Sequence, residues 1–229
     1  MTDDRELSRT IRVPPSASYL GISPAKAGRE KNGRRSCAAV ILAAGEAVRM
    51  GVAKPAMPFG DSTMVGAVID VARFAGLDPV VVVTGFHRDA VAEAVGDRAS
   101  LVHNPEAVSG NMSSLLVGFG AIGDADITIV LLSDMPLVQA STIEALCTGL
   151  LESGATCGWT RYKDGRGHPI AFTRDGIRDI GGLSGTKALW PYFDSLRIDE
   201  RYELVIDHTV PSDINTPDDY DDLRSFSGN

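Results

Sequence analysis

The 229-residue sequence predicts an α/β fold built around a parallel sheet. Three observations predict it. Short apolar runs rich in β-branched residues recur along the chain, and they lack the polar alternation of a half-exposed strand. Segments with helical spacing separate those runs. At 44% hydrophobic and 23% charged residues, the composition is that of an ordinary globular protein with enough chain to enclose a core.

Residues 1–36 mix Pro, Ser, Gly and Arg without apolar periodicity, so they are expected to form a flexible tail. An organelle transit peptide is the alternative, and Asp3, Asp4 and Glu6 count against it. Residues 37–229 are expected to form a single domain. Its first strand, Ala38–Leu42, opens into Ala43-Ala44-Gly45. A helix over Ser62–Ala75, capped by Ser62, turns Met64, Val68, Val71 and Ala72 to one side. Pro79–Thr84 reads as a strand, His87–Val95 as a short helix, Leu101–His103 as a strand and Met112–Ile122 as a helix. Ile127–Leu132 is a further buried strand, followed by a capped helix over Ser141–Leu151 and a strand over Ala155–Tyr162. The remainder is less regular. A strand starts at Gly167-His168-Pro169, a Gly-Gly-Leu-Ser-Gly segment spans 181–185, another strand covers Glu203–Asp207, and Asp213–Pro217 caps a last acidic helix. In a parallel sheet the ligand lies beyond the carboxyl ends of the strands, so the loops 43–60, 84–87 and 133–136 are expected to line one crevice.

Charge and cysteine usage narrow the function. Residues 1–36 hold eight basic and four acidic residues; the other 193 hold 14 and 26, a net of −12. Such a body makes a poor general binder of nucleic acid, and no nucleic-acid partner is expected. The longest apolar runs fall far short of the roughly 20 residues that a membrane-spanning helix needs, so no membrane partner is expected. Cys37, Cys147 and Cys157 form no CxxC pair and fit free thiols in a reducing compartment, with a cytoplasmic location expected. Gly118–Gly123 fits GxGxxG by letter, but it follows no strand, and no Ser lies in a Gly-x-Ser-x-Gly turn.

The segment 42–58 carries the chemistry. Ala43, Ala44 and Gly45 let backbone amides approach a ligand, and Arg49 and Lys54 follow on the same loop. A guanidinium fork beside a compact ammonium suits a polyphosphate. The spacing is not that of a Walker A loop. Asp134, at a strand end, is a candidate Mg²⁺ ligand, because Mg²⁺ takes few protein oxygens and keeps several waters. Asn104 either contacts base or ribose or structures its loop, and Ser113 and Ser114 either cap a helix or touch ligand. His168 either lines a pocket or serves structure; His87, His103 and His208 share no ligand spacing and are expected to be structural.

These residues resemble the signature of the MobA-like nucleotidyltransferases, Leu-Ala-(Ala/Gly)-Gly-x-x-x-Arg-Met-Gly-x-x-Lys. The Ala-Ala-Gly form is most similar to the molybdenum cofactor cytidylyltransferases. The resemblance continues through Gly110–Gly118, Leu132-Ser133-Asp134-Met135-Pro136, Gly167-His168-Pro169 and Asp213–Asp219. It implies a Rossmann-like nucleotidyltransferase fold, three-layer α/β/α with a mostly parallel mixed sheet, in which Leu42, Ala43, Ala44 and Gly45 receive base and ribose. It implies further that Arg49 and Lys54 take the triphosphate, that Asp134 holds Mg²⁺, and that Asp213 or Asn215 is a second ligand. The implied reaction moves a nucleoside monophosphate, CMP favoured, from a nucleoside triphosphate to a small phosphorylated acceptor, molybdopterin first, and releases pyrophosphate. The implied catalytic residues are Arg49, Lys54 and Asp134, and a molybdoenzyme or its chaperone is an implied partner. His168, Ser184 and Lys187 would face the acceptor.

Three departures stand out. Ala47 replaces a frequent Ser, Asn215 a frequent Asp, and Ser184-Gly185-Thr186-Lys187 the common Ser-Gly-Asp-Arg-Gly-Ala. The last departure leaves open transfer to another phosphate monoester. Two other functions also stay open: a pyridine-nucleotide oxidoreductase, since nicotine blue oxidoreductase is similar to this family, and a non-catalytic nucleotide-binding accessory protein.

Overall fold

The computed structural model describes the backbone of residues 10–13 together with residues 35–46, 53–181 and 189–210. In chain order the elements are β1 (Thr10–Val13), β2 (Cys37–Ala43), β3 (Pro58–Phe59), β4 (Ser62–Thr63), α1 (Met64–Phe74), β5 (Val80–Thr84), α2 (Arg88–Val95), β6 (Ser100–His103) and α3 (Asn111–Ile122). There follow β7 (Ile127–Leu132), α4 (Ala140–Ser153), β8 (Cys157–Tyr162), β9 (Gly165–Thr173), α5 (Arg174–Gly181), α6 (Leu189–Ser195) and β10 (Arg201–Ile206). Eight strands form one sheet in the order β1-β10-β8-β9-β7-β2-β5-β6; β3 and β4 form a separate ribbon. Every pairing in the large sheet is parallel except those of β9, which runs against β7 and β8. The expected mixed, mostly parallel sheet is the one observed.

The sheet is buried on both faces, which is why its central strands read as unbroken apolar runs. Along β2, Ala39, Ile41 and Ala43 join a core with Val68 and Ile69 of α1 and Ile143 and Leu146 of α4. Ala38 and Val40 face the other way, toward Leu115 and Phe119 of α3, Ile180 of α5 and Phe193 of α6. Helices on both sides of one sheet make the three layers. Gly118 shows how tightly α3 is laid down: a Cβ there would stand 2.4 Å from Val40 Cγ1. Gly118 therefore serves helix-to-sheet packing, whereas Gly120 has open space beside it and Gly123 ends the helix at φ 73°.

Several boundaries differ from expectation for physical reasons. Helix α1 starts at Met64, capped by the Thr63 hydroxyl, which accepts from the Gly66 amide at 3.1 Å. Ser62 is drawn into the β3–β4 ribbon opposite Phe59, and its hydroxyl accepts from Arg98 Nη1 at 3.0 Å. Four residues assigned to the tail, Thr10–Val13, form β1 and lie parallel to β10. The short helices α5 and α6 were not anticipated. Among the described residues no helix is long and apolar enough to cross a membrane. The three cysteines are free.

Candidate functional site

Strands β2 and β7 are parallel neighbours, while the chain leaves β2 toward β5 on the other side. A crevice opens at such a reversal of strand order. Two loops leave its rim together: Ala44-Gly45-Glu46 after β2 and Ser133-Asp134 after β7. The Ser133 amide donates to the Leu42 carbonyl at 3.1 Å and so fixes their spacing. The chain then returns through a 3₁₀ turn at Lys54–Ala56, with Pro55 in its first turn, and this turn buries Lys54 to 9% exposure. Lys54 Nζ donates to Asp134 Oδ2 at 2.8 Å. An ammonium held that deep needs an opposite charge beside it, because desolvation otherwise disfavours the charged form.

The resulting cleft encloses about 220 Å³. Leu42, Ala44 and Gly45 line one wall and Leu132, Ser133 and Asp134 another; Lys54, Pro55, Asn111 and Ser114 complete it. Asn111 and Ser114 come from the first turn of α3, three residues apart and so on one face of the helix. No side chain caps that helix: its N-cap is Gly110, and Ser113 Oγ turns away to share its one proton between the Gly110 and Glu106 carbonyls at 2.8 and 2.9 Å. A helix start of twelve residues that lacks a side-chain cap offers amide donors and the positive end of its dipole to an anion.

The structure brings together Leu42, Ala44, Gly45, Lys54 and Asp134. Ala43 is buried in the sheet core behind them. Asn104 is 1% exposed and does not line the cleft. Its Nδ2 donates to Ser113 Oγ and Ser114 Oγ, each at 2.9 Å, and its Oδ1 accepts from the Glu106 amide at 3.0 Å. Asn104 and Ser113 thus stand behind Ser114. Of the three expected loops, 84–87 packs against the loop after β2 and does not line the cleft. His168 is half-buried at the start of β9; burial pulls its imidazole down to about 4, against the opposing pull of the Asp134 carboxylate. Arg49, Ser184, Lys187, Asp213 and Asn215 lie outside the described residues. Pro55, Asn111, Leu132 and Ser133 were not singled out for the site; for Asn111 and Ser114 the i,i+3 spacing in a first helical turn was the available signal.

Among the described residues no group of three or more His, Cys, Asp or Glu side chains could hold a metal ion. The donor set fits a different use. A single carboxylate facing a cleft with a cationic neighbour suits a hard divalent ion that arrives with phosphate oxygens and keeps its waters. Asp134 would hold it.

Comparison with known proteins agrees with this geometry. The crystal structure of Rv0371c from Mycobacterium tuberculosis H37Rv superimposes with a TM-score of 0.72 and 32% identity, covering 83% of this chain and 98% of that one. A complex of Rv0371c with manganese gives 0.67 and 31%, covering 82% and 97%. A nucleotidyl transferase from Methanothermobacter thermautotroptrophicus, Mth528, gives 0.70 and 26%, covering 84% and 97%. The bifunctional protein GlmU of Symbiobacterium thermophilum is 31% identical over 121 residues, which are 51% of this chain; the match spans only 26% of GlmU. The family model of the MobA-like NTP transferase domain matches residues 39–200, through both walls of the cleft, and the chain belongs to that family.

Proposed function

We propose that this nucleotidyltransferase moves CMP from CTP to a small phosphorylated acceptor, molybdopterin first, and releases pyrophosphate, with Mg²⁺ as its metal and residues 37–229 acting as one domain. One observation carries the reading: Lys54 and Asp134 meet at 2.8 Å over a cleft floored by small residues and a helix start that lacks a side-chain cap. Attack by an acceptor phosphate oxygen on the α-phosphorus joins two anions. The protein's share is to position them and neutralise charge. Lys54 takes the phosphate chain, with Arg49 assigned the same work. The Ala44–Glu46 turn and the start of α3 present amides to base, ribose or phosphate. Asp134 would hold the divalent ion, which supplies charge neutralisation on the phosphates when bound; Asp213 or Asn215 is assigned as a second ligand. The manganese complex of Rv0371c supports a divalent metal. The Ala43-Ala44-Gly45 variant of the signature supports CTP and molybdopterin, and a molybdoenzyme or its chaperone follows as the protein partner. His168, Ser184 and Lys187 are assigned to the acceptor side. The departure at Thr186-Lys187 supports a second acceptor class, another phosphate monoester.

A nucleotide-by-acceptor panel read by pyrophosphate release, with Mg²⁺ and then Mn²⁺, tests this. The expected result is release only when CTP, metal and molybdopterin are all present. Oxidation of NADPH by a dye acceptor, with no pyrophosphate in any well, would defeat the assignment in favour of an oxidoreductase. Tight nucleotide binding without turnover would favour an accessory protein.

A further inference from the structure

The turn that bears Ala44 and Gly45 is held from behind by the loop that follows β5. A Cβ on Gly85 would stand 2.5 Å from the Ala44 carbonyl oxygen, 2.9 Å from Ala44 Cβ and 2.7 Å from Ala107 Cβ. The two loops therefore meet with no room for a side chain. Two residues on, His87 Nε2 lies 2.9 Å from the Glu46 carbonyl oxygen. A carbonyl can only accept, so Nε2 carries the ring proton. His87 is also the N-cap of α2, yet its side chain makes no capping bond there. The ring serves the neighbouring loop instead.

We infer that His87 is a positioning residue: through the Glu46 carbonyl it fixes the main chain of the Ala44–Glu46 turn against Gly85, and so sets the position of Ala44 and Gly45, which line the cleft. The need for such a tie is physical. The Gly45–Glu46 end of the turn is exposed and has little side-chain packing to restrain it, and glycine populates both signs of φ. A binding constellation has to be held within about 0.5 Å to work. Neither Gly85 nor His87 lines the cleft, so their effect reaches it only through Ala44, Gly45 and Glu46. The inference rests on the nucleotide reading above only in what the turn is held for.

Two variants of the full chain separate the hydrogen bond from the bulk of the ring. His87→Phe removes the donor, and His87→Gln keeps one. The tie is read first without substrate, from heteronuclear NOEs of the Gly45 and Glu46 amides. His87→Phe is expected to lower both while leaving those of β2 and α2 unchanged, and His87→Gln to restore them. Long-range nitrogen spectra of the wild type are expected to place the ring proton on Nε2. In turnover, His87→Phe is expected to raise the nucleoside triphosphate KM about tenfold with a smaller change in kcat, as misplacement of a binding loop does. Unchanged NOEs in His87→Phe, or a proton fixed on Nδ1, overturn the inference. If His87→Phe does not fold, Gly85→Ala carries the test: its Cβ has to displace the Ala44 carbonyl, and unmoved Gly45 and Glu46 amide shifts overturn the inference equally. Failure of the nucleotide reading looks different. The wild-type amides of 44–46 would then ignore added CTP and Mg²⁺, while the differences between the His87 variants persist and support the tie.

Discussion

Lys54 Nζ and Asp134 Oδ2 stand 2.8 Å apart although 80 residues separate them in the chain. The pair joins the segment after β2 to the end of β7, and each charge compensates the partial burial of the other, with side-chain exposures of 11% and 26%. Removing one member takes a compensating charge away from the other. Asp134→Ala is expected to cut pyrophosphate release by at least about a hundredfold while the far-UV circular dichroism stays that of the wild type. Lys54→Met is expected to raise the triphosphate Kd about tenfold or more. Lys54→Arg should not fully rescue it, because a planar guanidinium does not reproduce the compact point charge that meets Asp134 Oδ2. Isothermal titration on the two lysine variants checks both statements.

Asn104 is expected to matter for stability before it matters for ligand. Asn104→Ala leaves the two serine hydroxyls and the Glu106 amide without its side chain as partner, in a place that is 1% exposed. The loss should be about 1–3 kcal/mol. Urea unfolding measures it, and a triphosphate Kd within about threefold of wild type would accompany it if Asn104 acts only from behind Ser114.

The imidazole of His168 makes stability depend on pH. Its folded-state value, about 4, lies below the ordinary 6.5 because burial opposes its charge. As pH falls below 6.5 the unfolded chain takes up the proton first, so stability declines until about pH 4 and then levels off. The decline should be roughly 2 kcal/mol once partial exposure is allowed for. The difference in urea midpoint between wild type and His168→Asn, followed from pH 7 to pH 4, isolates this contribution from that of the carboxylates.

The three thiols should react in a fixed order. Burial pushes Cys157 up to about 12. A hydrogen bond from Cys147 lowers Cys37 and raises Cys147 well above the usual thiol range. The thiolate is the nucleophile, so iodoacetamide at pH 8 should label Cys37 first and Cys157 only on unfolding. Peptide mass mapping over a time course decides; early labelling of Cys157 would contradict its burial.

Much of this architecture was readable from the chain because its central strands are covered on both faces. Val80–Val83 and Ile127–Leu131 cannot alternate with polar residues when helices lie above and below them. Lys54 and Asp134 were legible as candidates because each falls in a segment that resembles a family motif, one in a small-residue loop and one at a strand end. Other features exist only in space. Asn104 finds its partners nine and ten residues later, in the next helix. Helix α6 carries Pro191 in its first turn and is held by Phe193, which packs at 5.0 Å on Trp159 and 5.8 Å on Phe172, residues from two different strands. Helix α5 is mostly charged or glycine, with Ile180 its buried apolar anchor, so its periodicity was too sparse to see.

The reversed direction of β9 has a practical consequence. Trp159 pairs with Ile170 and Thr160 with Gly167, so His168 and Pro169 bulge from the ladder at the opening of that strand. An antiparallel strand delivers its first residues to the rim where its neighbours deliver their last. The rim where β7 ends therefore also receives the start of β9, more than a hundred residues after β2, and the charge of Asp134 reaches His168 there. A library confined to 165–169 would alter that side of the rim without touching any residue that lines the cleft, so the grip of Lys54 and Asp134 is inherited unchanged.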